Sequence, residues 1–306
     1  MRAEDMARTT RKGEAFTWHH VARPTRADVE FVAELFGMSP RDAAILADRE
    51  DLPRFYDHGA WQMLRIHVPS VGAAHSVYER LHLTFVYNAS TVVTLADGRV
   101  DALERLAKTE KKSAVPRELR HGNVGDVMTW LVHEVLDGVD PLFDVVHEHI
   151  ERLAHTMRGL PGDNVTKQLG TLRRDILELD LMVQPGKAVV EQLLHARGLY
   201  RPPRVTMQWN GICDRLHAMH TVLEHDGRLV DVLFQEHESV LTHRTNQVVQ
   251  LLTVISVLLM PPTLVASYYG MNVAGLPWAH DVRAVTAVIG AAIVLFMLVV
   301  IKIMRK

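Results

Sequence analysis

Residues 245–281 read TNQVVQLLTVISVLLMPPTLVASYYGMNVAGLPWAHD. From Val248 to Tyr268 about twenty consecutive residues carry no formal charge, enough to cross a bilayer as a helix. A second uncharged run, Ala284 to Ile301, follows a short loop holding Asp281 and Arg283. The two runs predict a helical hairpin: a first span over 248–269, an outer loop over 270–282, a second span over 283–303 and a basic tail over 304–306. Arg244 precedes the first run, and Lys302, Arg305 and Lys306 follow the second. Lys and Arg accumulate on the cytoplasmic side, so a multi-pass protein of the cell membrane with both termini in the cytoplasm is expected.

The first span carries a stripe. Asn246, Val249, Thr253, Ser256, Met260, Thr263 and Ser267 recur at alternating steps of three and four, one line along a helix. The line is mostly small and polar, whereas Val248, Leu251, Val254, Ile255, Leu258 and Leu259 are aliphatic. Lipid offers hydroxyls and amides no partner, so the stripe must face protein or water. A packing seam and a pore wall both satisfy that condition. Two helices cannot enclose a water column, so a pore would need several copies of the chain.

The turn separates these readings. Tyr269-Gly270-Met271-Asn272, at the outer end of the first of two C-terminal spans, resembles the signature of the CorA superfamily of divalent-cation channels and transporters. Asn246, Leu252, Met260, Pro261, Thr263 and Ala266 are similar in type and place to that family's pore helix. The resemblance implies a funnel-shaped homo-oligomer, a pentamer, with the pore lined by Leu252 and the stripe. It also implies an ion entrance formed by Gly270, Met271 and Asn272 with Asp281 nearby, and inward transport of Mg2+. The chemistry suits the motif: Mg2+ sheds water reluctantly, so oxygen acceptors can recognise it through its bound waters. Gly270 is expected to end the helix in a left-handed conformation and leave carbonyls free, while Asn272 adds an amide oxygen. Such groups repeated about an axis form a ring of dipoles, as in other carbonyl-built filters.

Upstream of the hairpin the chain reads as an α+β domain followed by long helices. Residues 1–13 are charged, lack an apolar core and are expected to be disordered. A domain over 14–120 opens with a strand at Thr17–Val21. Pro24-Thr25 starts a helix with Val29, Val32, Ala33, Leu35 and Phe36 inward and Gly37 at its end, and Ser39-Pro40 caps a second helix. Trp61–Val68, Leu81–Tyr87 and Thr91–Leu95 alternate as strands, the last two joined by Asn88-Ala89-Ser90, and Val100–Lys108 reads as helix. Residues 121–247 are predicted to be long stalk helices: Val124–Arg158, Asn164–Leu194, and one from near Val205 to Gly270. About 65 residues of helix would span on the order of 100 Å, long enough to run from cytosol into membrane.

Composition limits the remaining classes. The chain of 306 residues is 48% hydrophobic and 23% charged, ample for a folded core. Its formal charge is −2, and residues 246–306 hold four basic groups and one acid, so the preceding part carries −5. That excludes a basic nucleic-acid surface and suits attraction of cations. One cysteine, Cys213, rules out an internal disulfide. No H-E-x-x-H motif and no Ser/His/Asp set point to an enzyme.

Eighteen histidines raise transition metals as a question. His147, His149, Glu151 and His155 share one predicted helix, as do His217, His220 and Glu224, and imidazole suits Zn2+ or Ni2+ better than Mg2+. Long helices are solvated on most sides, which makes the bland reading of these clusters the ordinary one. Two departures from the resembled family bear on the ion. The outer loop carries Asp281 as its one carboxylate, beside His280, and the position implied for a regulatory acid is Gly211, with Asp214 one turn on as its substitute. Uptake of Zn2+, Co2+ or Ni2+, with proton coupling as in the ZntB branch, is therefore the alternative. A membrane-anchored sensor or scaffold that does not conduct is the alternative of another class.

Overall fold

The computed structural model describes residues 8–48, 52–71, 78–108, 116–157, 162–196, 202–271 and 281–304. Six strands come first: β1 (Arg8–Lys12), β2 (Thr17–Ala22), β3 (Arg54–Asp57), β4 (Gln62–Val71), β5 (Tyr78–Tyr87) and β6 (Thr91–Ala96). They form one sheet in the order β1-β2-β6-β5-β4-β3. Only β2 and β6 run parallel; the other pairs are antiparallel.

The helices start and stop where local chemistry directs. In α1 (Arg26–Phe36) Thr25 and Asp28 form a reciprocal capping box, and Gly37 closes the helix at φ 61°. In α2 (Pro40–Ala47) Ser39 and Asp42 repeat the device, with Pro40 in the first turn. These two helices cover one sheet face, packing Val32, Phe36 and Leu46 against Met63, Val86 and Val93. The neighbouring strand positions Leu64, Leu83 and Phe85 point to the other face, as the two-residue period requires.

That second face receives α3 (Asp101–Lys108) and the long helices α5 (Val124–Thr156) and α6 (Gly162–His195), with α4 (Glu118–His121) beside α5 and the first part of α7 (Pro203–Tyr269) joining the same core. One continuous core runs from Phe16 and Trp18 through Leu131 and Leu179 to Leu223 and Val230. Sheet and long helices up to Phe234 therefore fold on a single core. The chain divides into two compact units, Met1–Phe234 and Gln235–Lys306, and α7 belongs to both. The second unit also holds α8 (Val282–Met304).

Two expectations are corrected, and two elements add to those expected. Residues 8–12, expected to be disordered, form β1, whose Arg11 guanidinium donates to the Leu106 carbonyl at 2.8 Å; residues 1–7 lie outside the described residues. Charged side chains suit an exposed edge strand, so the lack of apolar residues was no bar. Residues 54–57 form a second edge strand, β3, through pairing with β4. Leu35, expected inward, is 40% exposed, because Val32 and Phe36 already fill the face towards the sheet. The short helix α4 was not expected at all.

Candidate functional site

The polar stripe lies on the last part of α7. Asn246, Val249, Leu252, Thr253, Ser256, Met260, Thr263 and Ser267 are all exposed in the single chain. The more covered residues of this stretch are Val254, Val257, Leu258, Pro261, Pro262, Val265 and Tyr269. At 3.6 residues per turn all but Val257, which borders the stripe, lie on the other side of the helix from it. The covered face of α7 and its polar face are thus distinct.

Two stripe threonines have a defined polarity. Thr253 Oγ1 donates to the Val249 carbonyl at 2.8 Å, and Thr263 Oγ1 donates to the Leu259 carbonyl at 2.7 Å. Each hydroxyl spends its proton within the helix, so the oxygen that faces outward offers lone pairs. Such a surface suits the hydrogens of a hydrated cation's waters.

The end of α7 differs from expectation. Gly270 keeps a helical hydrogen bond to the Ala266 carbonyl at 2.9 Å, and Met271 N–H reaches Tyr268 O at 3.4 Å. Gly270 does not enter the left-handed region; among the described residues the glycines with positive φ are Gly37 and Gly59. A Cβ at Gly270 would stand 3.0 Å from the Ala266 carbonyl oxygen. Close approach, not backbone handedness, is what the glycine provides. Asn272 and His280 lie outside the described residues.

Asp281 has a structural occupation. Its Oδ1 accepts from Arg283 N at 3.0 Å and from Ala284 N at 3.3 Å, which makes it the N-cap of α8. The cap signal was present in the sequence as an acid just ahead of an apolar helix.

The histidine clusters of the first unit also have occupations. His147 of α5 meets the carboxylate of Asp226 on α7 at 3.0 Å, and its Nε2 lies 3.6 Å from Glu151. His220 of α7 meets Asp180 of α6 at 2.6 Å. His217 Nδ1 accepts from Lys187 Nζ at 2.9 Å, while His149 and Asp214 are exposed. Arg215 of α7 bridges Asp137, at 2.6 Å, and Asp140 of α5. The hydrogen bond to Asp226 holds the His147 imidazole above its ordinary range, with Glu151 and Asp144 adding to the rise. Among the described residues no three His, Cys, Asp or Glu side chains are grouped so as to hold a metal ion. Sequence reasoning missed Asp226 and Asp180, which stand 79 and 40 residues from their partners.

Among the described residues α7 is the one helix long and apolar enough to cross a membrane, and α8 adds a shorter apolar stretch over Val282–Leu298. With this geometry in hand, a family model described as CorA-like Mg2+ transporter protein matches residues 13–306. The chain belongs to that CorA-like family. Its members are membrane transporters, not enzymes. The cobalt/magnesium transport protein CorA of Thermotoga maritima is 22% identical over 292 residues, 91% of this chain and 80% of that protein. The divalent cation transporter CmaX of Pseudomonas aeruginosa is 22% identical over 271 residues, 87% of this chain and 79% of that one. The complete structure of the CorA magnesium transporter from Methanocaldococcus jannaschii superposes with a TM-score of 0.79 at 15% identity, covering 95% of this chain and 90% of that one. That likeness gives the chain the CorA fold: an α/β domain followed by a very long helix.

Proposed function

We propose that this CorA-family transporter carries Mg2+ into the cell through a symmetric pore lined by the α7 stripe. The uncovered polar face of α7, running from Asn246 to Ser267 and ending at Gly270-Met271, is the observation that carries the reading. A polar membrane face left bare by its own chain calls for other copies of the chain around water. Five copies would place the outward lone pairs of Thr253 and Thr263 in rings. Asn272 would complete the entrance, with the α7–α8 hairpin spanning the bilayer and both termini in the cytoplasm. The ion passes hydrated, because such rings contact its waters without stripping them.

Cobalt is the second cargo with support, since the Thermotoga maritima relative is named for both ions. Zn2+ and Ni2+ have no comparable support from the described side chains. Among the described residues no group of three His, Cys, Asp or Glu includes Asp214, so a regulatory metal site there has no support from the single chain. The test is a flux panel in proteoliposomes with Mg2+, Co2+, Zn2+ and Ni2+, with and without a proton gradient. Mg2+ flux independent of the gradient is expected. Flux of Zn2+ alone, or flux only with a gradient, overturns the Mg2+ reading, and no flux of any ion makes the protein a non-conducting scaffold.

A further inference from the structure

Several side-chain links tie α7 to the helices beside it, and three of them differ in kind. Arg215 to Asp137 and Asp140 uses a cation that keeps its charge at every physiological pH. His220 to Asp180 and His147 to Asp226 use an imidazole in place of a guanidinium. Of the three, His147–Asp226 has the most at stake, because Asp226 is 1% exposed and flanked on α7 by the buried Leu223 and Val230. A carboxylate with so little exposed surface needs a counter-charge, and removing the partner's charge is costly.

The surroundings allow the charge to change. An open cleft of about 580 Å³ between α5 and α7 runs past the pair, so protons and water reach the imidazole. Its ionisable neighbours are Asp144 and Glu151 from α5, with His225, Asp226 and Arg228 from α7; α6 contributes no group to the cleft's lining. Arg228 is directed to Glu224, at 3.6 Å, so it does not substitute for His147 as the partner of Asp226.

We propose that His147 and Asp226 form a proton-sensitive latch, which holds α7 against α5 while the imidazole is charged and loosens when it is neutral. The neutral imidazole still donates one hydrogen bond, so loosening is partial: the carboxylate keeps a partner and loses its counter-charge. The raised affinity of His147 for its proton sets the sign. A group protonated more readily when folded contributes its full stability below the unfolded value of about 6.5 and loses it as pH rises through the higher folded value. Because α7 runs on unbroken to Tyr269, the latch bears on the pore helix, a consequence that rests on the transport reading.

The test compares the full-length protein with His147→Gln, His147→Lys and Asp226→Asn, reading Tm at about pH 6 and about pH 8.5, on either side of the ordinary histidine value. The Tm deficit of His147→Gln should be largest at the acid end and shrink towards the alkaline end. Asp226→Asn, which keeps size and one acceptor, should remove the same pH dependence. His147→Lys, a charge that persists, should hold its Tm above that of His147→Gln at the alkaline end. A deficit of His147→Gln that is equal at both ends overturns the latch, and so does a His147→Lys protein no more stable there than His147→Gln. Initial Mg2+ flux is measured separately. A steeper pH profile in wild type than in Asp226→Asn supports coupling to the pore, and identical profiles overturn that coupling. Absent flux in wild type refutes the transport reading and leaves the Tm result standing.

Discussion

Leucines in the two units of this chain live in opposite environments. Leu64, Leu83, Leu131 and Leu169 of the first unit are 0% exposed, while Leu251, Leu252 and Leu264 of the second are 57% to 70% exposed. The first unit consumes its own apolar surface, with sheet and long helices meeting in one core. The second leaves its polar stripe and much of its apolar surface uncovered. A soluble chain would not keep so much apolar surface in water, where each buried side chain of this kind is worth about 1.5–3 kcal/mol. The first unit holds a packed core of its own, and on the proposed transport reading the second meets lipid on one side and its own copies on the other.

The sharpest way to break that comparison is to cut the same side chain in both units. Leu131→Ala should cost about 2–5 kcal/mol, because it opens a cavity in a packed core. Leu264→Ala should cost less than about 0.5 kcal/mol in detergent, as expected of a surface site. Chemical denaturation followed through the buried Trp18 reads the first unit, and equal losses from both variants would deny that the units differ.

Acid should damage the first unit selectively. His20 is 4% exposed, with Nδ1 2.9 Å from Thr94 Oγ1, and burial pushes its imidazole down to about 4. The unfolded chain takes up a proton near pH 6.5 that the folded chain refuses. Stability is therefore complete above about 6.5 and falls towards 4, by on the order of 3 kcal/mol. His20→Leu should flatten that slope in a pH series of denaturation curves; an unchanged slope would assign the acid loss to other groups. This sign is opposite to that of His147, so one fold contains a histidine that resists protonation and one that welcomes it.

The smallest effect expected is at Asp281. Asn is as good an N-cap as Asp, so Asp281→Asn should keep α8 intact while removing the charge. Uptake of all divalent ions should fall modestly and alike, most at low salt, since exposed charges are screened beyond about 8 Å at physiological ionic strength. Asp281→Ala should add a capping loss of about 1 kcal/mol. A change in the ratio of Mg2+ to Zn2+ uptake in Asp281→Asn would instead make the carboxylate a ligand.

Legibility in the sequence followed the same division. Helix ends written in local chemistry, such as Ser39-Pro40 and Gly37, and the apolar run from Val248 were readable because neighbouring residues determine them. The edge strands β1 and β3 were not, because pairing with β2 and β4 makes them strands and their own residues carry no hydrophobic alternation. At the candidate site the stripe was readable from its spacing. The partners of His147 and His220 were not, since two helices must pack before Asp226 and Asp180 come near. A glycine at a helix end signals handedness in sequence, whereas the close approach of Gly270 to Ala266 depends on how the last turn closes.

The central claim is that the uncovered polar face of α7 is the wall of an ion pathway. With Cys213 replaced by Ser, single cysteines at Thr253, Ser256, Met260 and Thr263 should react with small hydrophilic thiol reagents in the membrane-embedded protein, and that reaction should stop Mg2+ flux. Cysteines at Leu251, Ile255 and Leu258 should neither react nor block. Equal labelling of the two sets, or labelling of the stripe with flux undiminished, would contradict a pore on this face.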